Sequence, residues 1–142
     1  MKTGTLTLQA IAASFVLGLA GTAHAESLDI KAGLWRKTLK VETGGRTVMN
    51  STIDACLTAD DLDLEKTAAK LAQSASCKVV QQELSPRRIR VVLQCREMTA
   101  ESMTEVRSRD AVVVAATMTP ADGSEATQSK EEWRFVNADC VK

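Results

Sequence analysis

The sequence has a single histidine, His24, no tyrosine, and only 3% aromatic residues. Histidine is the side chain that most readily gives and takes protons near neutral pH, so histidine-based relays and Ser-His-Asp triads have almost nothing to draw on. An excess of charge of one sign is also lacking: 18 basic residues face 18 acidic ones. That balance offers no electrostatic case for nucleic acid, which wants a strongly basic face, and no pull toward an anionic membrane. No glycine-rich phosphate loop is present; Gly44-Gly45 reads only as a turn. Long apolar runs are missing too, apart from one at the N-terminus.

That run has a recognisable form. Lys2 gives a positive start, Leu6 to Ala20 is mostly apolar and uncharged, and Ala23-His24-Ala25 is a small-x-small cleavage signal before Glu26. The run is shorter than the ~20 apolar residues that span a bilayer. We expect residues 1–25 to be a cleaved secretory signal peptide and residues 26–142 to form a single disulfide-stapled α+β domain. Cleavage would remove His24 and Lys2 and leave the mature chain slightly acidic.

The mature part contains all four cysteines, Cys56, Cys77, Cys95 and Cys140. An even number in an exported chain reads as two disulfides. Metal sites use tighter spacing, such as C-x-x-C, than is present here. Four cysteines allow three pairings. Cys56–Cys77 with Cys95–Cys140 is preferred, since Cys56–Cys77 would clasp the two ends of the predicted helix. Cys77–Cys95 is also possible, although a disulfide directly across two strands is sterically awkward. With both pairs oxidised, no thiolate nucleophile remains.

The apolar pattern then gives the elements. Trp35, Lys37, Leu39 and Val41 share one face of a strand, and Lys37 breaks that face, which suggests a position near an edge. Thr43-Gly44-Gly45-Arg46 is a turn. Met49, Ser51, Ile53, Ala55 and Leu57 line a second strand. Thr58 to about Ala75 is the one predicted helix, with Thr58 and Asp61 as an approximate capping box. Cys77–Cys95 reads as a hairpin turning at Ser85-Pro86-Arg87, with Cys77 facing Cys95. A weaker strand covers about residues 102–108, Arg109-Asp110 is a tight turn, and Val112 to Thr119 alternates again. After the loop at Pro120–Ser124 a last strand runs from about Ala126 to Val136. The expected fold is α+β: a curved antiparallel β-meander, a half-open barrel, with one packed α-helix and two disulfides.

Few residues stand out as chemistry. Asp60, Asp61 and Asp63 could bind a cation or act as acid and base, but their place in the first turns of the helix is better explained by capping and the helix dipole. Met49, Met98, Met103 and Met118 are irregularly spaced, as core fillers are, rather than grouped as Cu(I) ligands. Arg87, Arg88 and Arg90 at the hairpin tip read as a solvated turn, with an anion or partner contact as the sharper alternative. Asn50-Ser51-Thr52 matches a glycosylation acceptor, by chance in a chain with this type of leader. Trp35, Trp133 and Phe135 are the mature aromatics, and either line an apolar pocket or fill the core.

Asp29-Ile-Lys-Ala-Gly-Leu-Trp35, Cys56-Leu-Thr-Ala-Asp-Asp, Cys77-Lys-Val, Cys95 and Cys140 together resemble a family of small bacterial exported proteins, the domain of unknown function numbered three-six-one-seven. The resemblance covers nearly all of residues 29–140. The family pattern commonly has proline where Ala32 stands and an acidic residue where Arg36 stands. The resemblance implies a periplasmic domain with an antiparallel sheet, one helix and no established activity. The expected function is a non-catalytic, exported (periplasmic) binding or interaction module without cofactor. Its partner would be a lipophilic small molecule or an envelope protein, with no nucleic acid and no membrane insertion after leader removal. Two alternatives are an inhibitor of a cell-wall or other extracytoplasmic hydrolase and a carboxylate-based enzyme.

Overall fold

Alternating apolar residues and short turns build one sheet. The computed structural model describes residues 26–73 and 76–140; the expected signal peptide lies outside the described residues. Seven strands follow in chain order: β1 (Gly33–Thr43), β2 (Arg46–Leu57), β3 (Cys77–Ser85), β4 (Arg88–Cys95), β5 (Met98–Ser108), β6 (Ala111–Pro120) and β7 (Thr127–Asn137). Gly44 and Gly45 join β1 to β2 with φ of 57° and 74°, the left-handed pair that a two-residue hairpin turn needs to match strand twist.

The sheet order is β2-β1-β7-β6-β5-β4-β3 and every pairing is antiparallel. β1 therefore lies one in from the edge, between β2 and the last strand β7. The sheet curls without closing, as expected for a half-open barrel, and β2 and β3 are its free edges. Register places Trp35, Lys37 and Leu39 on the same face as Ala55, Ile53 and Ser51 of β2 and as Phe135, Trp133 and Glu131 of β7. Val112 and Val114, then Val106 and Thr104, then Ile89 continue that face across β6, β5 and β4. This is the concave face.

The single helix expected over Thr58–Ala75 is two helices, α1 (Ala59–Leu62) and α2 (Leu64–Ala72); the expected end at Ala75 lies outside the described residues. Asp63 is extended, at φ −69° and ψ 119°, and its carboxylate caps α2 by accepting the Lys66 N–H at 2.9 Å. The break has a tertiary cause. The segment after Glu26 crosses the helix there: the Leu28 N–H donates to the Leu62 carbonyl at 2.9 Å, and the Leu64 N–H to the Glu26 carbonyl at 3.0 Å. Backbone groups that an unbroken helix would pair internally are taken by a second strand of chain.

The same segment plugs one end of the half-barrel. The Asp29 N–H donates to the Pro86 carbonyl at 2.8 Å, and the Lys31 N–H to the Arg109 carbonyl at 3.2 Å. Leu28 and Ile30 thereby join Trp35, Leu62, Leu64, Val106 and Val112 in the core. Trp35 is fully buried at 0% exposure. Its indole N–H donates to the Lys31 carbonyl at 2.9 Å, which satisfies the one polar atom of the ring.

The disulfides are Cys56–Cys140 and Cys77–Cys95, not the preferred Cys56–Cys77 and Cys95–Cys140. Register explains both. The two-residue turn Pro86-Arg87 pairs Leu84 with Ile89, one step away from the register that a three-residue loop would set. A bulge between Val79 and Gln81 restores the phase, so Cys77 still lies opposite Cys95 with Cα atoms 4.1 Å apart. That close approach makes the directly cross-strand bridge accessible. At the other end, Leu34 of β1 pairs with Cys56 on one side and Asn137 on the other. Cys140, just beyond β7, reaches Cys56 across the end of β1 with a Cα separation of 5.4 Å.

Candidate functional site

The chain leaves β2 at the plugged end of the sheet and re-enters it at the opposite end of β3, so α2 runs over the concave face. α2 turns Leu71 and Thr67 toward β4, β5 and β6. Between helix and sheet lies a cavity of about 470 Å³. Leu71, Ile89, Val91, Leu93, Met118 and Trp133 supply most of its apolar wall. Ser102, Thr104 and Ser129 add hydroxyls, and Asp61 and Glu101 are its charged members.

The three aromatics divide between two duties. Trp35 belongs to the plug, packed edge-on against Phe135 with ring centres 5.6 Å apart and planes at 73°. Phe135 is half-buried beside it. Trp133 lines the cavity. Its indole N–H donates to Glu131 Oε2 at 2.7 Å, which fixes the ring plane. The Lys37 ammonium then rests 3.8 Å from the centre of that ring, a cation–π contact. Burial pushes the Lys37 ammonium below its ordinary value, against the opposing fields of Glu131 and Asp61.

The three aspartates are accounted for by the helices. Asp61 accepts the Thr58 N–H at 2.9 Å and the Thr58 hydroxyl at 2.8 Å, and these hydrogen bonds hold its carboxyl below the usual aspartate range. Asp60 pairs with Lys66 at 2.6 Å. Asp63 caps α2. The arginines of the hairpin tip are likewise engaged. Arg87 donates to the carbonyls of Val106 and Arg107 at 3.3 and 3.4 Å. Arg88 pairs with Glu105 at 3.5 Å and Arg90 with Glu101 at 2.7 Å.

The methionines are not gathered. Met98 and Met118 share the concave face, Met103 lies on the opposite one, and Met49 sits on the edge strand β2. Among the described residues no three histidine, cysteine, aspartate or glutamate side chains converge as metal ligands. No helix among them is long and apolar enough to cross a membrane. The two disulfides fit an oxidising, extracytoplasmic compartment.

Sequence reasoning noticed Lys37 only as a flaw in an apolar face. Its place on the Trp133 ring depends on β1 pairing with β7 across most of the chain, Lys37 opposite Trp133. No local pattern carries that pairing. The alternation did place Lys37, Ile53, Trp133 and Val114 on apolar faces, which is the signal available.

No curated protein matches the chain. Among solved structures it is similar to the S-type phycobiliprotein lyase CPES from Guillardia theta, with 9% identity over 75% of this chain and 88% of that one, at a TM-score of 0.35. That likeness is too distant to bear on function. The profile of the DUF3617 family, proteins of unknown function, matches residues 30–140, from Ile30 in the plug to the last disulfide cysteine. The chain belongs to that family.

Proposed function

We propose that this domain is a non-catalytic, exported (periplasmic) binding module that carries a lipophilic small molecule between α2 and the concave face of the sheet. The observation that carries this reading is the cavity of about 470 Å³ with its wall of Leu71, Ile89, Val91, Leu93 and Trp133. A site that encloses an apolar ligand is concave, mostly apolar, and has a few polar groups to orient its guest. Export is supported by the form of residues 1–25 and by the two disulfides. Absence of catalysis is supported by the histidine-free mature chain and by cysteines that are all oxidised.

Mass spectrometry of protein recovered from the periplasm tests the reading. The denatured mass is expected to match cleavage after Ala25 with two disulfides formed. The native spectrum is expected to show a reproducible adduct that denaturation removes. A bare native protein that also leaves the neutral dye N-phenylnaphthylamine dark would overturn the carrier reading. An uncleaved chain in the cytoplasm would overturn export.

A further inference from the structure

Lys37 is the one charged residue in the concave row Trp35, Lys37, Leu39 and Val41 of β1. Its register partners on that face are Ile53 of β2 and Trp133 of β7. It is half-buried. Among the described residues its ammonium makes no direct ion pair; Glu131 and Asp61 act on it only through their fields. An ammonium is a compact, strongly hydrated charge, and shielding it from water without a counter-ion is unfavourable. The Trp133 ring face compensates only in part. Half-buried and without a direct ion pair, the ammonium has donors left for an anionic partner.

The surroundings of the ammonium border the cavity. Trp133, on which it rests, and Asp61, whose field it feels, both line that space. The Trp133 ring is held in place by Glu131. Farther along, Leu71, Ile89, Val91 and Leu93 form an apolar wall suited to a hydrocarbon chain. One cationic group at the border of a cavity with an apolar wall suits a guest with one anionic end. The neighbouring carboxylates of Glu131 and Asp61 act against any anionic guest, and a second negative charge on it would be opposed twice over.

We propose that Lys37 anchors the carboxylate of a single-chain, monoanionic amphiphile, a fatty acid, whose tail lies in the cavity under α2. This rests on the carrier reading above and adds the head-group chemistry to it. The Lys37 ammonium donates to the carboxylate oxygens and stays between them and the ring face of Trp133.

Displacement of N-phenylnaphthylamine by dodecanoate and by dodecanol, from the intact oxidised domain, separates the two claims. Dodecanoate is expected to bind wild-type protein about ten-fold tighter than dodecanol, through its charge-assisted hydrogen bond. Lys37→Met is expected to abolish that gap, while Lys37→Arg keeps it. Glu131→Gln, which retains an acceptor for the Trp133 indole, is expected to tighten dodecanoate alone. Equal binding of the two chains by wild type, or a gap that survives in Lys37→Met, overturns the anchor and leaves the carrier reading standing. Should Lys37→Met fail to fold, dodecanoate affinity unaltered in Glu131→Gln overturns the anchor. If neither chain nor the dye binds wild type, the carrier reading falls and the anchor with it.

Discussion

The backbone N–H of Leu64 donates to the carbonyl oxygen of Glu26 at 3.0 Å, at the point where α1 gives way to α2. The start of the described chain is thus built into the helix break, and the two residues that follow it into the core, Leu28 and Ile30, are 9% and 5% exposed. Ile30→Ala is expected to destabilise the domain by about 2–5 kcal/mol, the range for truncating a buried aliphatic side chain. Urea unfolding followed by circular dichroism measures it. A loss under about 1 kcal/mol would mean that the segment is not part of the core.

Trp35 and Trp133 should respond differently to truncation. Trp35→Ala removes a fully buried ring and its bond to Lys31, and should cost about 3–5 kcal/mol. Trp133 is half-buried on the cavity wall, so Trp133→Ala should cost clearly less stability. The two midpoints of unfolding, measured side by side, check the order; the reverse order would exchange the core and the cavity wall.

Gly33 stands at φ 138°, and a Cβ placed there would strike the carbonyl oxygen of Asn137. Gly33→Ala is expected to lose about 1–3 kcal/mol through backbone strain, with further loss from the clash. This assigns a physical role to the glycine of the Gly-Leu-Trp motif: it lets the start of β1 lie against the end of β7. Thermal unfolding of the variant tests it, and an unchanged Tm would remove that role.

The two disulfides should contribute unequally. Cys56–Cys140 joins residues 84 positions apart and Cys77–Cys95 residues 18 apart. Chain-entropy reasoning gives about 4.5 kcal/mol for the first and about 3 kcal/mol for the second. Paired serine substitutions at Cys56 and Cys140 are therefore expected to lower the denaturant midpoint more than the same change at Cys77 and Cys95. Peptide mapping without reduction should recover these two linkages and no others.

Hydrogen bonds from Thr58 hold the Asp61 carboxyl below its ordinary value of 3.8. A carboxyl whose pKa is lower folded than unfolded stabilises the fold above the unfolded value, and that contribution disappears as pH falls through the folded value. The acid side of the stability profile, below about pH 4, should therefore flatten in Asp61→Asn. A carboxyl-carbon NMR titration of Asp61 in the folded protein should give a midpoint below 3.8. A midpoint above it would show that the Thr58 bonds do not form.

Local chemistry made most of the strands legible. Trp35 to Val41, Met49 to Leu57 and Ile89 to Cys95 alternate apart from Lys37, Ser51 and Val92, and Gly44-Gly45 and Pro86-Arg87 mark their turns. The helix break was not legible, because the residues from Thr58 to Leu71 carry helical spacing throughout and the interruption at Asp63 is imposed by Glu26 and Leu28. The disulfide pairing failed for a related reason. The distance of Cys140 from Cys56 depends on β7 lying beside β1, and the facing Cys77 and Cys95 approach to 4.1 Å between Cα atoms, which overcomes the steric objection to a cross-strand bridge. The cavity was foreshadowed by the apolar faces, but the division of labour between Trp35 and Trp133 depends on the plug that residues 28–31 form.

The pairing of β1 with β7 has a kinetic consequence. Leu34 meets Asn137, and Thr43 meets Thr127, across most of the length of the chain. The β3–β7 meander can zip up through neighbouring hairpins. The β1–β2 hairpin can form early but cannot join the rest until the last strand has arrived. Such distant contacts require loop closure before they repay it, which slows the search for the native state. A chain emerging N-terminus first would therefore hold β1 with one side unpaired until its C-terminal segment followed. The Cys56–Cys140 bridge could form only after that docking, locking in the slowest step of assembly.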